Sequence, residues 1–488
     1  MSSYLLAGTV RKEMFNGTPS STCVQWQRSQ VTKSPHLGIA AQHARSGMTV
    51  HGEGVLSIQH IAPQLVIEPR EALIDAPLRV TATGFTAGAP VVIRSSVEIA
   101  DGQRWETHAE FVADEAGVVD LSTSTPVSGD WHGADANALI WSLRPTGDGP
   151  QRRGLGAGLD PYTLTVTAES GDTSAETTVT RLAIAPDVHV EEIRDNGLYV
   201  NLFLPPGDGP FPTVLVVGGS GGGFADQHAA LYASHGIAAV SLAYFNVAGL
   251  PDELLQIPLE YFEHALDWIA AREDLDRDHL AISGTSRGGE LALLLASRYP
   301  VIRSVVAWVP SGYLWGAVSI NEDLANETDY ASWTYHDEPL PFAGRVRNTD
   351  VEPNADGVLE LTPAFHQHLE DPQVAEAAEI PVENINGPVI LVSGQADALW
   401  PSAFFGDRIV ERLTSRGFDF PVEHLSYEQA GHGIGAGIAP TTITQGFHPI
   451  RKQTIAYGGT PEGLARARSE SWARVLDFVT HTTRRQET

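Results

Sequence analysis

Short runs of alternating apolar and polar residues dominate the chain between about residues 61 and 182. They are rich in β-branched and aromatic residues, and Gly, Pro, Asp or Asn separates each from the next: PQLVIEP, PLRVTATGF, PVVIRSSVEI, ETHAEFVAD, ALIWSLRP and YTLTVTAES. Strands of this length and spacing, with few windows that could hold a helix, are typical of a β-sandwich. We therefore predict a β-sandwich domain over residues 61–185.

The pattern changes at about Pro186, where the predicted strands become continuously apolar and alternate with helices. A hairpin in VEEIRDNGLYVNLFLPP is followed by strands in Val214–Val217, IAAVSLAYF, HLAISG, IRSVVAWVP, PVILVSG and FPVEHLSYE. Helices are predicted in HAALYASHG, LLQIPLEYFEHALDWIAARED, GGELALLLASRYP and the closing SESWARVLDFVTHT. Continuous apolar strands alternating with helices predict a parallel sheet that is covered on both faces. The predicted fold class is therefore α/β over residues 186–488.

Residues 1–60 show no clear periodicity and are rich in Ser, Thr and Gln. We predict an N-terminal tail without packed structure. A transit peptide and a true start at Met48 are the alternatives that the sequence leaves open. No secretory signal is convincing and no window approaches 18 uninterrupted apolar residues, so we expect a cytoplasmic protein without a membrane span.

The charge of the chain limits its partners. The net charge is −29, a field that repels nucleic acid and anionic membranes, so we expect neither as a partner. Only three residues are Lys, which fits either a high-salt environment or a GC-rich genome. The single cysteine, Cys23, excludes an intramolecular disulfide and a cysteine metal cluster, and we expect no cofactor and no metal. The sequence does not indicate an oligomeric state.

The segment HLAISGTSRGGELALLLASRYP contains the motif that predicts chemistry. Gly284-Thr285-Ser286-Arg287-Gly288 has the Gly-x-Ser-x-Gly spacing, and it follows a predicted strand and opens a predicted helix. This context defines a nucleophile elbow, a turn that presents a serine hydroxyl above the sheet at the positive end of a helix. We therefore predict an α/β-hydrolase catalytic domain behind the N-terminal β-sandwich domain, with Ser286 as its nucleophile.

Two further residues complete a predicted catalytic triad. In α/β-hydrolases the chain order is Ser, then acid, then His. Asp397 follows the apolar strand in GPVILVSGQADALWP, and His432 lies in a glycine-flanked loop after the next strand. We predict that His432 is the general base and acid and that Asp397 orients its imidazole. His228, His264, His366 and His424, with Asp407 and Asp419, are the competitors that we interpret as surface or packing residues.

The oxyanion hole of such a site needs two backbone N–H groups. Arg287, directly after the nucleophile, is one predicted donor, while its side chain is expected either to bind an anionic part of the substrate or to be solvated. The loop GGSGGG after Val217 supplies the other, with Ser220 or Gly221 as donor. A nucleotide-binding turn is the alternative for this loop, although it lacks a fitting acidic partner.

With these residues placed, the chain resembles the acyl-CoA thioesterase and bile acid-CoA:amino acid N-acyltransferase family from roughly residue 63 to 479. The resemblance lies in PQLVIEP, LFLPPGDGPFPTVLVVGGSGGG, AALYASHGIAAVSLAYFN, GTSRGGELAL, PVILVSGQADALWPS, YEQAGHGI and YGGTPEGLARARSESWARVLDF. The family usually has Lys where Arg287 stands. Residues 1–60 and the glycine-rich stretch after His432 depart from its pattern.

The resemblance implies an acyl-CoA substrate that is hydrolysed to a carboxylic acid and CoA. The family's acyltransferases have Cys in the elbow and its thioesterases have Ser, so Ser286 implies hydrolysis rather than transfer to an amine. A carboxylesterase or amidase acting on uncharged substrates, an N-acyltransferase and a non-catalytic binding module are the alternatives. The net charge of −29 favours the carboxylesterase or amidase, since CoA is an anion that the chain repels.

Several residues are candidates for substrate binding. A chain with a net charge of −29 needs a local basic patch to bind the phosphates of CoA, unless high salt screens the electrostatic repulsion. Arg345 and Arg347 in AGRVRN, with Arg152 and Arg153 in QRRG, are the candidates for that patch. Trp400 is expected near the site, either against the substrate or in the core.

Overall fold

The computed structural model describes residues 62–99, 102–147, 155, 158–318, 330–448 and 451–483. The predictions for the tail 1–60 and for Arg152 and Arg153 lie outside these residues.

Two β-sheets form the part of the molecule that precedes residue 183. Their strands are β1 Gln64–Glu68, β2 Glu71–Leu73, β3 Arg79–Thr83, β4 Pro90–Glu98, β5 Arg104–Val112, β6 Val119–Asp120, β7 Ser128–Gly129, β8 Arg144–Thr146, β9 Tyr162–Ser170 and β10 Thr173–Leu182. One sheet has the order β1-β3-β6, and the other has the order β2-β10-β9-β4-β5-β7 with β8 beside β5. All these pairs are antiparallel except β2 with β10.

The two sheets share one apolar core. Burial alternates along β4 and β5, so every second side chain faces inward. Val80 from the smaller sheet packs in the same cluster as Ile93, Phe111 and Val166 from the larger sheet. The alternating pattern in the sequence therefore corresponds to a sandwich with one buried and one solvated face on each sheet.

One predicted strand of this part is wrong. The run ALIWSLRP does not form a strand; it begins with the helix α1, Ala138–Trp141, and only Arg144–Thr146 pairs with β5. All four residues of α1 are buried. A short, continuously apolar run has no periodicity that distinguishes a buried strand from a buried helical turn, and tertiary packing decided between them.

The rest of the chain contributes fourteen strands among the described residues. They are β11 His189–Ile193, β12 Val200–Leu204, β13 Phe211–Val217, β14 Ala238–Leu242, β15 Ile257–Pro258, β16 Leu275–Thr285, β17 Ile302–Trp308, β18 Trp333–Tyr335, β19 Glu338–Pro339, β20 Val358–Leu359, β21 Val389–Gly394, β22 Val422–Tyr427, β23 Gln445–His448 and β24 Gln453–Ala456. Eight of them form one sheet in the order β11-β12-β14-β13-β16-β17-β21-β22.

The six strands from β14 to β22 in this order are parallel, and β11 and β12 form an antiparallel hairpin at one edge. Every residue of β14 and β21 is buried. Because both faces of these strands are covered, their sequences are continuously apolar rather than alternating.

Helices cover both faces of the parallel sheet. After α1 come α2 Asp226–Ser234, α3 Leu259–Ala271, α4 Arg287–Arg298, α5 Thr362–His368, α6 Pro372–Ala378, α7 Ser402–Ser415 and α8 Pro461–Thr483, with 3₁₀ turns at Asn348–Asp350 and Val382–Asn384. Residues of α3, α4 and α7 pack in one cluster with the sheet, and residues of α2 and α8 pack in another. This architecture confirms the predicted α/β-hydrolase class.

Candidate active site

A sharp turn between β16 and α4 presents Ser286. Its backbone has φ 59° and ψ −119°, and a non-glycine residue adopts such a positive φ only where its surroundings enforce it. A Cβ at Gly284 would meet the carbonyl oxygen of Gly288 at 1.9 Å, and a Cβ at Gly288 would meet that of Gly218 at 2.4 Å. The Gly-x-Ser-x-Gly spacing therefore follows from close backbone packing around the turn.

The side chains of Ser286, His432 and Asp397 form one continuous series of hydrogen-bonding contacts. Nε2 of His432 lies 2.9 Å from Oγ of Ser286, and Nδ1 of His432 lies 2.8 Å from Oδ2 of Asp397. Ser286 is 8% exposed and Asp397 is 6% exposed, so little water reaches these contacts. The fold brings the three residues together although His432 is 146 positions from the serine and 35 from the aspartate.

Three further donors hold the carboxylate of Asp397. Its Oδ1 accepts from the backbone N–H groups of Leu399, at 3.0 Å, and Trp400, at 3.2 Å. Its Oδ2 accepts from Oγ of Ser402 at 2.7 Å, beside the contact with His432. The sequence analysis did not single out Ser402, although its position at the start of α7, directly after a Pro, is a signal that could have done so.

Trp400 lies between the core and the active site. Its ring meets the imidazole of His432 edge-on, with 5.8 Å between the ring centroids and 79° between the planes. Its Nε1 donates to the carbonyl oxygen of Val309 at 3.0 Å, and the residue is 1% exposed. Trp400 therefore restricts the ring of His432 and also lines the pocket that contains Ser286.

Arg287 and Ser220, two of the predicted oxyanion donors, belong to segments next to Ser286. Arg287 is the first residue of α4, so no acceptor in a preceding helical turn is available to its N–H. Ser220 lines the same pocket as Ser286, and a Cβ on its neighbour Gly219 would lie 3.4 Å from the Cβ of Ser286. Gly221 is not among the described residues that line this pocket, so the lining favours Ser220 over Gly221 as the second oxyanion donor. The assignment of both donors stays a prediction.

The side chain of Arg287 is buried, so the expectation that it is solvated is wrong. Its Nη1 lies 2.7 Å from Oε2 of Glu290, one turn along the same helix. Its Nη2 donates to the carbonyl oxygen of Trp315 at 2.9 Å and to Oγ of Ser332 at 2.5 Å. The guanidinium is therefore not solvated; it connects the nucleophile helix to the segment that follows β17, and Arg287 also lines the pocket that contains Ser286.

Glu290 is the buried partner that the sequence analysis missed. Its side chain is fully buried, and its Oε1 accepts from Nε1 of Trp333 at 2.8 Å. Burial raises the pKa of Glu290 to about 7, although the neighbouring charge of Arg287 acts in the opposite direction. An acidic residue three positions after a basic one on a helix normally indicates an exposed pair, and only the tertiary structure reveals that this pair is inside.

A pocket opens beside Ser286, and the small sheet that contains β23 and β24 contributes His448 and Ile455 to its wall. Its apolar wall includes Trp315, Val318, Leu361, Phe365, Trp400 and Ile455. Arg345 lines this pocket, as a residue that was predicted to bind the substrate should. Arg347 is not among its described lining residues; its backbone N–H donates to Oδ2 of Asp350 at 2.6 Å.

A second Ser–His–Asp set lies in the body of the sheet. Nε2 of His424 is 2.6 Å from Oγ of Ser393, and its Nδ1 is 3.2 Å from Oδ1 of Asp407. Ser393 lies within β21 and is fully buried, whereas Asp407 is largely exposed. No substrate could reach this serine without opening the sheet, so the interpretation of His424 as a packing residue fits its surroundings.

Buried contacts fix the glycine-rich loop after His432. The guanidinium of Arg468 on α8 donates to three carbonyl oxygens, at 3.0, 2.5 and 3.1 Å, of Gly433, Ala436 and Gly437. Nε2 of His228 on α2 accepts from the N–H of Ala436 at 3.0 Å. Burial, together with the nearby charge of Arg468, lowers the pKa of His228 to about 4, which keeps the ring neutral as an acceptor.

Comparisons with known proteins identify the family. Residues 75–195 match the family model described as Acyl-CoA thioester hydrolase/BAAT N-terminal region, and residues 257–485 match BAAT / Acyl-CoA thioester hydrolase C terminal. Acyl-coenzyme A thioesterase 1 of Mus musculus is 30% identical over 411 residues, which cover 83% of this chain and 93% of the relative. The chain belongs to the acyl-CoA thioester hydrolase/BAAT family. The family resemblance predicted from the sequence is confirmed, and so is the prediction of a hydrolase.

Further members of the acyl-CoA thioester hydrolase/BAAT family match over similar lengths. The relative named acyl-coenzyme A thioesterase 2, mitochondrial, of Homo sapiens is 29% identical over 426 residues, 86% of this chain and 84% of its own. Among solved structures, the acylaminoacyl peptidase of Pyrococcus horikoshii aligns over 87% of this chain and 62% of its own, with 12% identity and a TM-score of 0.40. Among the described residues, no helix is long and apolar enough to cross a membrane. The cytoplasmic location stays a prediction.

Proposed function

We propose that this chain is an acyl-CoA thioesterase that works through an acyl-enzyme on Ser286. The observation that carries the proposal is the uninterrupted contact series from Ser286 through His432 to Asp397, in a member of a family whose compared relatives are named acyl-CoA thioesterases. Ser286, His432 and Asp397 would be nucleophile, general base and orienting acid. The substrate would be an acyl-CoA thioester, and no metal takes part in the steps below.

In the first half-reaction, Oγ of Ser286 attacks the thioester carbonyl while Nε2 of His432 accepts its proton. The carbonyl oxygen becomes an oxyanion, which receives hydrogen bonds from the N–H groups of Arg287 and Ser220. The C–S bond then breaks, His432 returns the proton to the sulfur, and CoA leaves as the thiol. The acyl group remains as an ester on Ser286.

In the second half-reaction, a water molecule takes the place of CoA. His432 accepts a proton from the water, whose oxygen attacks the ester, and then returns that proton to Oγ of Ser286. The products are the free carboxylic acid and the original enzyme. A serine ester suits this step because activated water opens it readily.

Asp397 acts through the imidazole rather than on the substrate. Its Oδ2 accepts the Nδ1–H of His432, which leaves Nε2 unprotonated and directed at Ser286. When Nε2 takes up the proton, the carboxylate stabilises the resulting imidazolium. The two backbone donors and Ser402 hold the carboxylate in this orientation before the substrate binds.

The experiment compares an acyl-CoA with an oxygen ester of the same acyl group, on the natural chain and on Ser286→Ala. We expect a higher kcat/KM for the thioester and a loss of about 10⁴-fold or more in kcat for the variant. Unchanged thermal denaturation of the variant would show that the loss is catalytic. Undiminished turnover by Ser286→Ala would overturn the proposal.

A carboxylesterase is the second candidate, and the net charge of −29 is the observation that favours it. A strongly acidic protein repels CoA over long range but not an uncharged ester. A kcat/KM that is higher for the ester than for the matched thioester would identify this activity. If added glycine attacked the acyl-enzyme in place of water, so that an N-acylglycine formed instead of the free acid, the activity would be N-acyl transfer rather than hydrolysis.

A further inference from the structure

The loop GGSGGG between β13 and α2, Gly218–Gly223, contains Ser220, whose N–H is the predicted second oxyanion donor. Five of its six residues are glycine, so the sequence of the loop does not by itself fix where that N–H points. Within the loop, the N–H of Gly222 donates to the carbonyl oxygen of Gly219 at 3.1 Å, which closes a turn around Ser220. The orientation of this turn must come from contacts outside the loop.

Two side chains that follow β14 make those contacts. The hydroxyl of Tyr244 donates to the carbonyl oxygen of Gly218 at 2.7 Å, and Nδ2 of Asn246 donates to the carbonyl oxygen of Gly221 at 2.8 Å. One bond precedes Ser220 along the chain and the other follows it. The loop is therefore held on both sides of the predicted donor.

The bond from Asn246 reaches the N–H of Ser220 through two peptide units. A trans peptide unit is planar, so its C=O and N–H point in opposite directions. The C=O of Gly221, which Asn246 holds, shares a unit with the N–H of Gly222. That N–H holds the C=O of Gly219, which shares a unit with the N–H of Ser220. The direction of the N–H of Ser220 is thus set by a series of bonds that begins at the amide of Asn246.

The backbone around Asn246 fits closely against the loop. Asn246 has φ 55°, a left-handed conformation that Asn and Asp adopt more readily than most other side chains. A Cβ at Gly222 would meet the Cβ of Asn246 at 2.6 Å, and the N–H of Gly223 donates to the carbonyl oxygen of Phe245 at 3.0 Å. This close packing leaves the loop little room to turn relative to Asn246.

Tyr244 also connects the loop to the turn that carries Ser286. The residue is buried, and its ring packs against that of Trp333 with 5.8 Å between the centroids. Nε1 of Trp333 donates to Glu290, and Glu290 pairs with the side chain of Arg287. Since the N–H of Arg287 is the predicted first donor, one buried cluster lies behind both predicted donors.

We propose that Tyr244 and Asn246 are positioning residues that direct the N–H of Ser220 at the oxyanion of the reaction. This inference rests on the proposed function, because an oxyanion forms only if Ser286 attacks a carbonyl carbon. Neither side chain is among the described residues that line the pocket, so each acts through the loop. Donors oriented in advance stabilise the transition state more than the bound substrate, so the effect belongs in kcat.

The test measures kcat and KM for an acyl-CoA with Tyr244→Phe and Asn246→Asp. The first variant keeps the ring and loses the hydroxyl; the second keeps the shape and replaces the Nδ2 donor by an oxygen. We expect kcat to fall about tenfold or more in each, with KM changed less than about twofold. The pH dependence of kcat/KM should not change, because the contacts of Ser286, His432 and Asp397 stay intact.

Two inhibitors separate the positioning of a donor from the packing of a pocket. A trifluoromethyl ketone analogue of the acyl-CoA accepts Oγ of Ser286 at its carbonyl carbon, the proton passes to His432, and the ketone oxygen becomes an oxyanion. An S-alkyl thioether of CoA has no carbonyl and forms no oxyanion. We expect the variants to raise the Ki of the ketone about tenfold or more and to leave that of the thioether unchanged. Equal weakening of both inhibitors would overturn the inference.

The matched control is Tyr232→Phe. Tyr232 is equally buried, but its hydroxyl donates to Oγ of Ser283 at 3.3 Å and not to the loop. Its loss should affect stability alone and leave kcat and both Ki values unchanged.

Thermal denaturation establishes that each variant folds, and the exposed Asn246 carries the test if Tyr244→Phe does not fold. An unchanged kcat in either folded variant would overturn the inference while leaving the proposed function in place. Failure of the natural chain to hydrolyse acyl-CoA would overturn the proposed function itself, and the inference with it.

Discussion

At the scale of single residues, the turn at Ser286 depends on a pair of charges beneath it. Arg287 directly follows Ser286, and its side chain is anchored on Glu290, Trp315 and Ser332. A buried pair contributes little net stability, but removal of one partner leaves the other charge uncompensated. The pair therefore fixes the start of α4 and the wall of the pocket relative to each other.

We predict that, well above the pKa of about 7 of Glu290, Glu290→Gln lowers the free energy of unfolding by about 3 kcal/mol, because the charge of Arg287 then remains buried without its counter-ion. Chemical denaturation of the variant measures this loss. The double variant Arg287→Met, Glu290→Leu removes both charges and should recover much of the stability. With Arg287→Met and Glu290→Leu as the matching single variants, a loss in the double variant that equals the sum of their losses would show that the two side chains do not interact.

The sequence was sufficient for some residues of the site and not for others. Ser286, Asp397 and His432 could be predicted because the chain order of an α/β-hydrolase fixes which strand end each must follow. Ser402 and Glu290 could not, because their roles arise from contacts between distant segments.

At the scale of secondary-structure elements, two helices from opposite ends of the catalytic region hold the loop that carries His432. Arg468 on α8 binds its carbonyl oxygens, and His228 on α2 accepts from the N–H of Ala436. A glycine-rich loop has little order of its own, so these buried contacts set the position of the imidazole.

The neutral ring of His228 predicts a loss of stability in acid. Burial lowers the pKa of His228 to about 4 in the folded protein, whereas it is near 6.5 in the unfolded chain. Between these values the unfolded chain binds the extra proton, so the unfolding free energy falls as the pH decreases through that window. His228→Gln should reduce this fall by about 2 kcal/mol, measured by denaturation at pH 6.5 and 4.5.

The matched control for this substitution is His366→Gln, because His366 is exposed on α5. It should leave the pH dependence of unfolding unchanged. An identical pH dependence in His228→Gln and the natural chain would contradict the account of the loop.

Elements with a strong pattern were predicted well, and those with a weak one were not. The continuously apolar strands β13, β14 and β21 were evident because only a doubly covered sheet has such sequences. A weak pattern explains the two failures. A strand was wrongly predicted at Ala138–Trp141, and the short elements between β17 and β21 were not predicted, because each is too short for a hydrophobic period to appear. The segment between β17 and β21 supplies Trp315, Val318, Arg345 and Phe365 to the pocket wall, mostly from outside regular elements, so the pocket could not be derived from the sequence.

At the scale of the whole molecule, the sandwich contacts the segment that follows the active-site histidine. The N–H of Ile438 donates to the carbonyl oxygen of Ile74, and that of Thr441 donates to the carbonyl oxygen of Trp141. Ile438 also packs in the core of the sandwich. The sandwich thus supports the histidine loop from outside the catalytic sheet, while the division into domains at residue 185 stays a prediction.

The charge of the whole chain predicts how salt affects the reaction. A net charge of −29 slows the encounter with a CoA thioester, and salt screens this repulsion over a Debye length that falls from about 10 Å at 0.1 M to about 3 Å at 1 M. We predict that kcat/KM for an acyl-CoA rises about three- to tenfold between 0.05 and 0.5 M NaCl. An uncharged ester of the same acid is the control and should change little. A fall with salt for the acyl-CoA alone would mean that local positive charge dominates the encounter.

The most direct test of the central claim locates the acyl group during turnover. Rapid acid quenching of the enzyme with an acyl-CoA, followed by intact-mass and peptide mass spectrometry, measures any covalent intermediate. We predict a mass increase of one acyl group on the peptide that contains Ser286, and no increase in Ser286→Ala. An acyl group on another residue, or full turnover by Ser286→Ala, would contradict the account.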